Sequence, residues 1–209
     1  MTRLYSFRPA ISLRRRKFHG IRGWAGKPTH PPLTDFPIAA YVLAAAFDVI
    51  SYFAARGSEY GVSSLAHDSF AAATYVTMGG AVVSLGAALT GFWDWWQGID
   101  RDRSTGWLGR AQHTQVWRTI NTHATIMVTA TVIVIVEIVV RLAQYGSGFT
   151  SLAVMILSVI VALLVSWGSF YGGELVYDYQ FNVEGLKGST VWDETEVDQM
   201  PGQTAGSES

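Results

Sequence analysis

The chain has 209 residues, of which 49% are hydrophobic and only 15% charged, with a mean hydropathy of +0.22. That charge content is well below the usual quarter of a soluble domain, so a disordered chain and a soluble enzyme with a charged shell are both disfavoured. There is no cysteine, which excludes disulfides, cysteine-ligated iron–sulfur clusters, zinc ribbons and covalently attached haem. The net charge of −1 carries no nucleic-acid signature.

In chain order, residues 1–29 form a basic arm. Residues 1–34 hold eight Lys or Arg and no acid, with the run Arg14, Arg15, Arg16, Lys17 suited to anionic headgroups beside Phe18 and Trp24. An organellar transit peptide has a similar composition, but an apolar span follows at once and inside-positive charge accounts for the arm. The domain proper, residues 30–177, holds four apolar runs near 36–56, 69–92, 119–142 and 150–172. Each can cross ~30 Å of hydrocarbon at ~1.5 Å per residue. The segment TVIVIVEIVV at 131–140 has the β-branched content of a buried strand, but its run is too long for one. Residues 178–209 form an acidic tail with a small, polar end.

Thirteen Lys and Arg fall on the side of the N-terminus, against Arg56 and Arg141 on the other. The positive-inside rule then puts both termini in the cytoplasm. The expected architecture is an all-α, integral membrane four-helix bundle, multi-pass in a bacterial cytoplasmic (inner) membrane, with the lipid bilayer as its first partner and no nucleic acid. Stripes of small residues should let the helices approach: Gly80, Ser84, Ala87 and Gly91 in span two, and Ser158, Ala162, Ser166, Ser169 and Gly173 in span four. No internal repeat is legible, because the sequences around Asp48 and Glu137 do not match.

Polar residues inside spans mark sites or locks, because they are costly in hydrocarbon. Two layers emerge. In span three, His123, Met127, Ala130, Val134, Glu137 and Arg141 share one helical face. Asp48 shares a face with Ala40, Ala44 and Ser51. Asp48, His67, Asp68, Glu137 and Arg141 define an outer layer, with Glu137 and Arg141 spaced for an ion pair within one helix. The inner layer holds His30 in an entry turn before two prolines, then Asp35, Asp94, His123 and Glu174. Histidines and carboxylates at one depth suit a transition metal bound by His30, Asp35, Asp94, His123 and Glu174. His30 and His123 alone suit a b-type haem. In the plain alternative Asp35 caps a helix, Trp93, Trp95 and Trp96 anchor at headgroups, and His123 bonds a neighbouring helix. A proton path would have to bridge 14 residues, ~21 Å, from His123 to Glu137 past apolar side chains. No phosphate loop, GxSxG elbow or HExxH motif points to soluble catalysis.

Five blocks in order resemble a bacterial membrane family, number 2231 of the domains of unknown function (DUF2231). They are HPPLTDFPIA at 30–39, AFDVIS around Asp48, LTGFWDWW at 89–96, THATIMV at 122–128 and GSFYGGELVYDYQFNVE at 168–184. The resemblance covers about three quarters of the chain and implies a four-helix membrane domain. It carries over His30, Asp35, Asp48, Asp94, His123 and Glu174, with Gly173 and Tyr177 beside them. Some relatives are fused to Rieske-type or cytochrome-like modules, which implies electron transfer in the membrane. Here the chain departs from its relatives: Glu174 and Asp35 stand where some have histidine, and Ile126 and Met127 occupy a region where an asparagine is common. Without cysteine the chain holds no Rieske centre, so such a redox partner is a separate membrane protein. The resulting expectation is a redox-associated module binding haem b or a transition metal. The competing one is a non-enzymatic structural or partner-binding subunit of a membrane complex.

Overall fold

The computed structural model describes residues 21, 28–57, 62–98 and 115–182. Most of the basic arm, the loop that carries Arg101, Arg103 and Arg110, and the tail beyond 182 lie outside the described residues. Four helices follow one another: α1 (His30–Arg56), α2 (Ser64–Gly98), α3 (Gln115–Ala143) and α4 (Leu152–Tyr177), with a 3₁₀ turn at Tyr145–Ser147 before α4. All four are long and apolar enough to cross a membrane, and there is no strand among the described residues. The β-branched stretch of span three is helical, because in lipid a helix satisfies its own backbone groups.

Local chemistry sets the helix ends. Pro31 and Pro32 occupy the first turn of α1, where the missing N–H groups would have no helical partner anyway. His30 is therefore the first residue of the helix, not part of a preceding turn. Pro37 lies inside α1 and leaves the Leu33 carbonyl without its helical N–H. Ser63 caps α2 by accepting from the Ala66 N–H at 3.2 Å, and Ser151 caps α4 by accepting from the Val154 N–H at 3.4 Å.

Each helix packs on its neighbours in sequence, and α4 closes the ring against α1. Thus α1 and α3 are diagonal, as are α2 and α4. Helix direction alternates. The end where α1 begins and α4 finishes is called proximal here, the other distal. A core of Tyr41, Ala130, Val134, Val161 and Val165 fills the centre. At the proximal end Trp95 of α2 meets Trp117 of α3, ring centroids 5.9 Å apart.

The bundle is internally two-fold. The buried residues Pro37, Tyr41, Ala44 and Asp48 of α1 recur 93 positions later as Ala130, Val134, Glu137 and Arg141 of α3. The buried Ala73, Thr77, Gly80, Ser84, Ala87 and Asp94 of α2 recur 81 positions later as Val154, Ser158, Val161, Val165, Gly168 and Leu175 of α4. The hairpins α1–α2 and α3–α4 thus repeat the same burial register. Because α1 runs parallel to α3, the pseudo-axis lies along the bundle. The sequence hid this repeat because paired positions differ in chemistry, and the partner of Asp48 is Arg141 rather than Glu137.

The stripe of small residues on α2 packs as expected: Gly80, Ser84 and Ala87 are buried against the bundle. The stripe on α4 does not. After the buried Ser158 its spacing drifts around the helix, leaving Ser166 exposed, and Val161, Val165 and Gly168 take the inner face. A Cβ at Gly80 would lie 2.9 Å from the Ala40 Cβ and 3.0 Å from Tyr41 Cε1, whereas one at Gly79 would meet nothing within 4 Å. Gly80→Ala is therefore expected to lower stability by about 1–3 kcal/mol through overpacking. Gly79→Ala should leave thermal unfolding in detergent unchanged or slightly raised.

Candidate functional site

Two polar layers exist, and each is assembled by helices that are diagonal to one another. At the distal end Arg141 of α3 is fully buried and reaches across to Asp48 of α1, also fully buried. Its Nη1 donates to Asp48 Oδ1 at 3.0 Å and its Nη2 to Oδ2 at 2.5 Å. Nη2 also donates to Glu137 Oε1, one turn back on α3, at 2.5 Å. Nη1 reaches Thr74 Oγ1 of α2 at 3.4 Å. The Thr150 hydroxyl donates to Asp48 Oδ1 at 2.8 Å. The Thr150 N–H donates to Ser51 Oγ at 3.0 Å, and Ser51 Oγ–H donates to the Ala66 carbonyl at 2.7 Å. The guanidinium carbon stands 5.6 Å from the Phe70 ring centroid.

This network links all four helices, directly or through the segments that lead into them. Glu137 and Arg141 pair within the helix as their spacing predicts, and Asp48 joins them. His67 and Asp68 do not: both are exposed, with His67 Nδ1 and Asp68 Oδ1 3.5 Å apart on the outside of α2. Their place in α2 follows from helical phase, because Ala66, Ser69 and Phe70 take the inward positions. Ser51 shared the face of Asp48 in the sequence, but its role was not legible there, and Thr74 and Thr150 had no sequence signal of their own. A hydroxyl is common in helices, and only the approach of Arg141 gives these three a role.

The proximal layer is arranged differently. His30 Nδ1 lies 2.9 Å from the Ala87 carbonyl of α2, and His123 Nδ1 lies 2.9 Å from the Gly168 carbonyl of α4. A carbonyl oxygen only accepts, so in each ring Nδ1 carries the hydrogen. The neutral imidazole then keeps its lone pair on Nε2. Among the described residues neither Nε2 has a hydrogen-bond partner. Each ring also lies on a glycine one turn beyond that carbonyl. A Cβ at Gly91 would fall 2.5 Å from His30 Cε1, and one at Gly172 would fall 3.2 Å from His123 Cε1. The two rings occupy equivalent positions in the pseudo-two-fold register, 93 residues apart.

The carboxylates of this layer do not join them. Asp35 is exposed on α1. Asp94 is buried, but its Oδ1 accepts from the Ile21 N–H at 3.1 Å, and its carbonyl accepts from Asn182 Nδ2 at 3.2 Å. It fastens the flanking segments to the end of α2. Glu174 Oε1 accepts from the Tyr179 hydroxyl at 2.9 Å and lines an open groove of about 600 Å³ on α4 with Ser166, Phe170, Tyr177 and Asp178. Among the described residues no three His, Asp or Glu side chains come together as a metal site. The five-ligand cluster expected from sequence is therefore not gathered. Depth along a helix was legible, but azimuth was not: azimuth sends Asp35 and Glu174 elsewhere, while Asp94 faces inward and is taken by the Ile21 N–H.

Four apolar helices, diagonal polar layers and backbone polarity satisfied within helices define a multi-pass membrane protein in contact with the lipid bilayer. The chain belongs to the DUF2231 family, described as a predicted membrane protein, whose model matches residues 26–185. No curated protein and no solved structure matches it.

The distal network yields a direct test. Removing one member of a buried ion pair strands its partner and costs about 3–5 kcal/mol. Arg141→Ala is expected to destabilise on that scale. Because the pair acts as a unit, Asp48→Ala in the Arg141→Ala background should cost far less than in the wild type. Additive losses in a double-mutant cycle of detergent unfolding would exclude a coupled pair.

Proposed function

We propose that the chain is a membrane redox-associated module that holds a b-type haem at its proximal end between His30 and His123. The observation that carries this reading is the matched pair of imidazoles. Each donates from Nδ1 to a backbone carbonyl, which fixes tautomer and ring orientation and leaves Nε2 available as a ligand. Two such nitrogens would ligate a haem iron, while a bare transition metal wants three or four protein ligands. The donor set therefore fits haem better than a metal ion.

In this reading a bound haem supplies one-electron chemistry. The chain's own residues do the holding. Ala87 and Gly168 orient the rings, and Gly91 and Gly172 give them room against α2 and α4. Trp95 and Trp117 cover the same end with apolar surface. The electron partner is a separate membrane protein that meets the proximal end. By the positive-inside bias that end faces the cytoplasm of a bacterial inner membrane.

A second reading is favoured by the distal network, which uses charge to tie the helices together. In it the chain is a non-enzymatic structural or partner-binding subunit, and the proximal histidines are helix-to-helix fasteners. Absorption spectra of detergent-purified protein, oxidised and reduced, separate the two. The haem reading expects a Soret band with sharp α and β bands on reduction, lost in His30→Ala and in His123→Ala and kept in Glu174→Gln. Stoichiometric metal without those bands would favour a metal centre. Neither haem nor metal, with loss during purification excluded by spectra of whole membranes, would leave the structural reading in place.

A further inference from the structure

The distal cluster contains one acid more than it has cations. The pseudo-two-fold pairs Asp48 with Arg141, and this pair is neutral and complete by itself. Arg141 gives both terminal nitrogens to the Asp48 carboxylate, and Thr150 adds a hydroxyl donor. Both Asp48 oxygens thus face donors. Glu137 has no such complement. Its counterpart in α1 is Ala44, so it stands outside the symmetric pair. Among the described residues its carboxyl meets one donor, Arg141 Nη2, which Asp48 already shares.

Two carboxylates against one guanidinium would leave a net charge of −1 inside the apolar thickness, where an unpaired charge is expensive. Among the described residues the titratable and charged groups around Glu137 are Asp48 and Tyr41 from α1 and Arg141 from its own helix. At this depth α2 brings the hydroxyls of Thr74 and Thr77, and α4 brings Ser158. None of these adds a positive charge. The layer has spare hydrogen-bonding capacity: among the described residues Arg141 Nε and Thr77 Oγ1 are buried without partners. Thr77 lies one turn from Thr74, which Arg141 already reaches.

We propose that Glu137 is a proton-binding site in the membrane interior, carrying one proton at neutral pH beside the doubly hydrogen-bonded Asp48–Arg141 pair. A neutral carboxyl still accepts from Arg141 through its carbonyl oxygen and gains an O–H donor. The proton removes the excess charge without disturbing the pair. This site rests on charge balance and symmetry at the distal end and is independent of any haem at the proximal end.

Infrared spectroscopy of the purified chain in lipid vesicles tests it. Wild type is expected to show the C=O stretch of a protonated carboxylic acid, above the amide bands and moved down in D₂O. Glu137→Gln should lose that band while keeping the wild-type helical content, and Asp68→Asn should keep it. If Glu137→Gln does not fold, Glu137→Asp must move the band, and an unmoved band would overturn the assignment. Absence of the band in wild type would also overturn it, as would its persistence in folded Glu137→Gln. Melting temperatures that rise with sodium or potassium but not with a bulky organic cation, in protein lacking the band, would assign the site to a metal cation instead.

Discussion

The ion pair between Arg141 and Asp48 is the constraint on which the bundle depends. Both groups are fully buried, and they belong to diagonal helices whose backbones do not approach each other closely. Desolvating either charge alone costs several kcal/mol, so neither side chain can be placed independently. The length of an arginine spans the middle of the bundle, and its two terminal nitrogens demand a carboxylate in one orientation. That requirement fixes the depth of α1 against α3. Thr150 and Ser51 then bind the α3–α4 connection to α1, and Ser51 in turn holds the first turn of α2 through the Ala66 carbonyl. Apolar packing in lipid has little preference for one depth over another, since the tails are as apolar as the side chains. Directional polar contacts supply the register.

The two-fold repeat explains why polar residues come as diagonal pairs. Symmetry puts equivalent positions of α1 and α3 on opposite sides of one axis, so any long or polar side chain there meets its own counterpart. At the distal end that counterpart has the opposite charge. At the proximal end the two residues are the same, and identical imidazoles cannot satisfy each other while both are neutral donors from Nδ1. Each instead turns that nitrogen to the neighbouring helix, over a glycine, and both Nε2 atoms stay unpartnered among the described residues. The contrast between a self-complementary distal pair and a proximal pair that turns to its neighbouring helices separates a lock from a candidate site.

Much of the architecture was legible in the sequence because it follows from composition and period. Four apolar runs gave four helices, longer at most ends because polar turns such as HPPLTD and WDWWQG continue the helix beyond the apolar window. The ladder from His123 to Arg141 was legible for the same reason: one helix, one period. Features that combine helices were not. Asp35 and Glu174 sit at the right depth but turn away from the histidines, and Asp94, on the inward face of α2, is taken by the Ile21 N–H; depth is all that a hydropathy profile reports. The repeat was hidden because tyrosine stands opposite valine and alanine opposite glutamate, and identity at those sites is set by the asymmetric needs of each layer.

The absence of a visible relay along span three came from looking down a single helix. The residues between His123 and Glu137 on α3 are apolar, but hydroxyls approach the same depth from other helices. The Tyr41 hydroxyl of α1 lies 2.6 Å from Ser84 Oγ of α2, and Tyr41 is within electrostatic reach of Glu137. Ser84 stands one turn from Ala87, whose carbonyl holds His30, and Thr90 Oγ1 lies 3.4 Å from the same ring. Polar groups therefore step down the α1–α2 seam from the distal cluster toward the proximal histidine. The equivalent seam of α3 and α4 carries valines at both positions, Val134 and Val165, so the two halves of the repeat have diverged. One seam is apolar at these positions and supports packing; the other keeps hydroxyls between the two polar ends of the bundle.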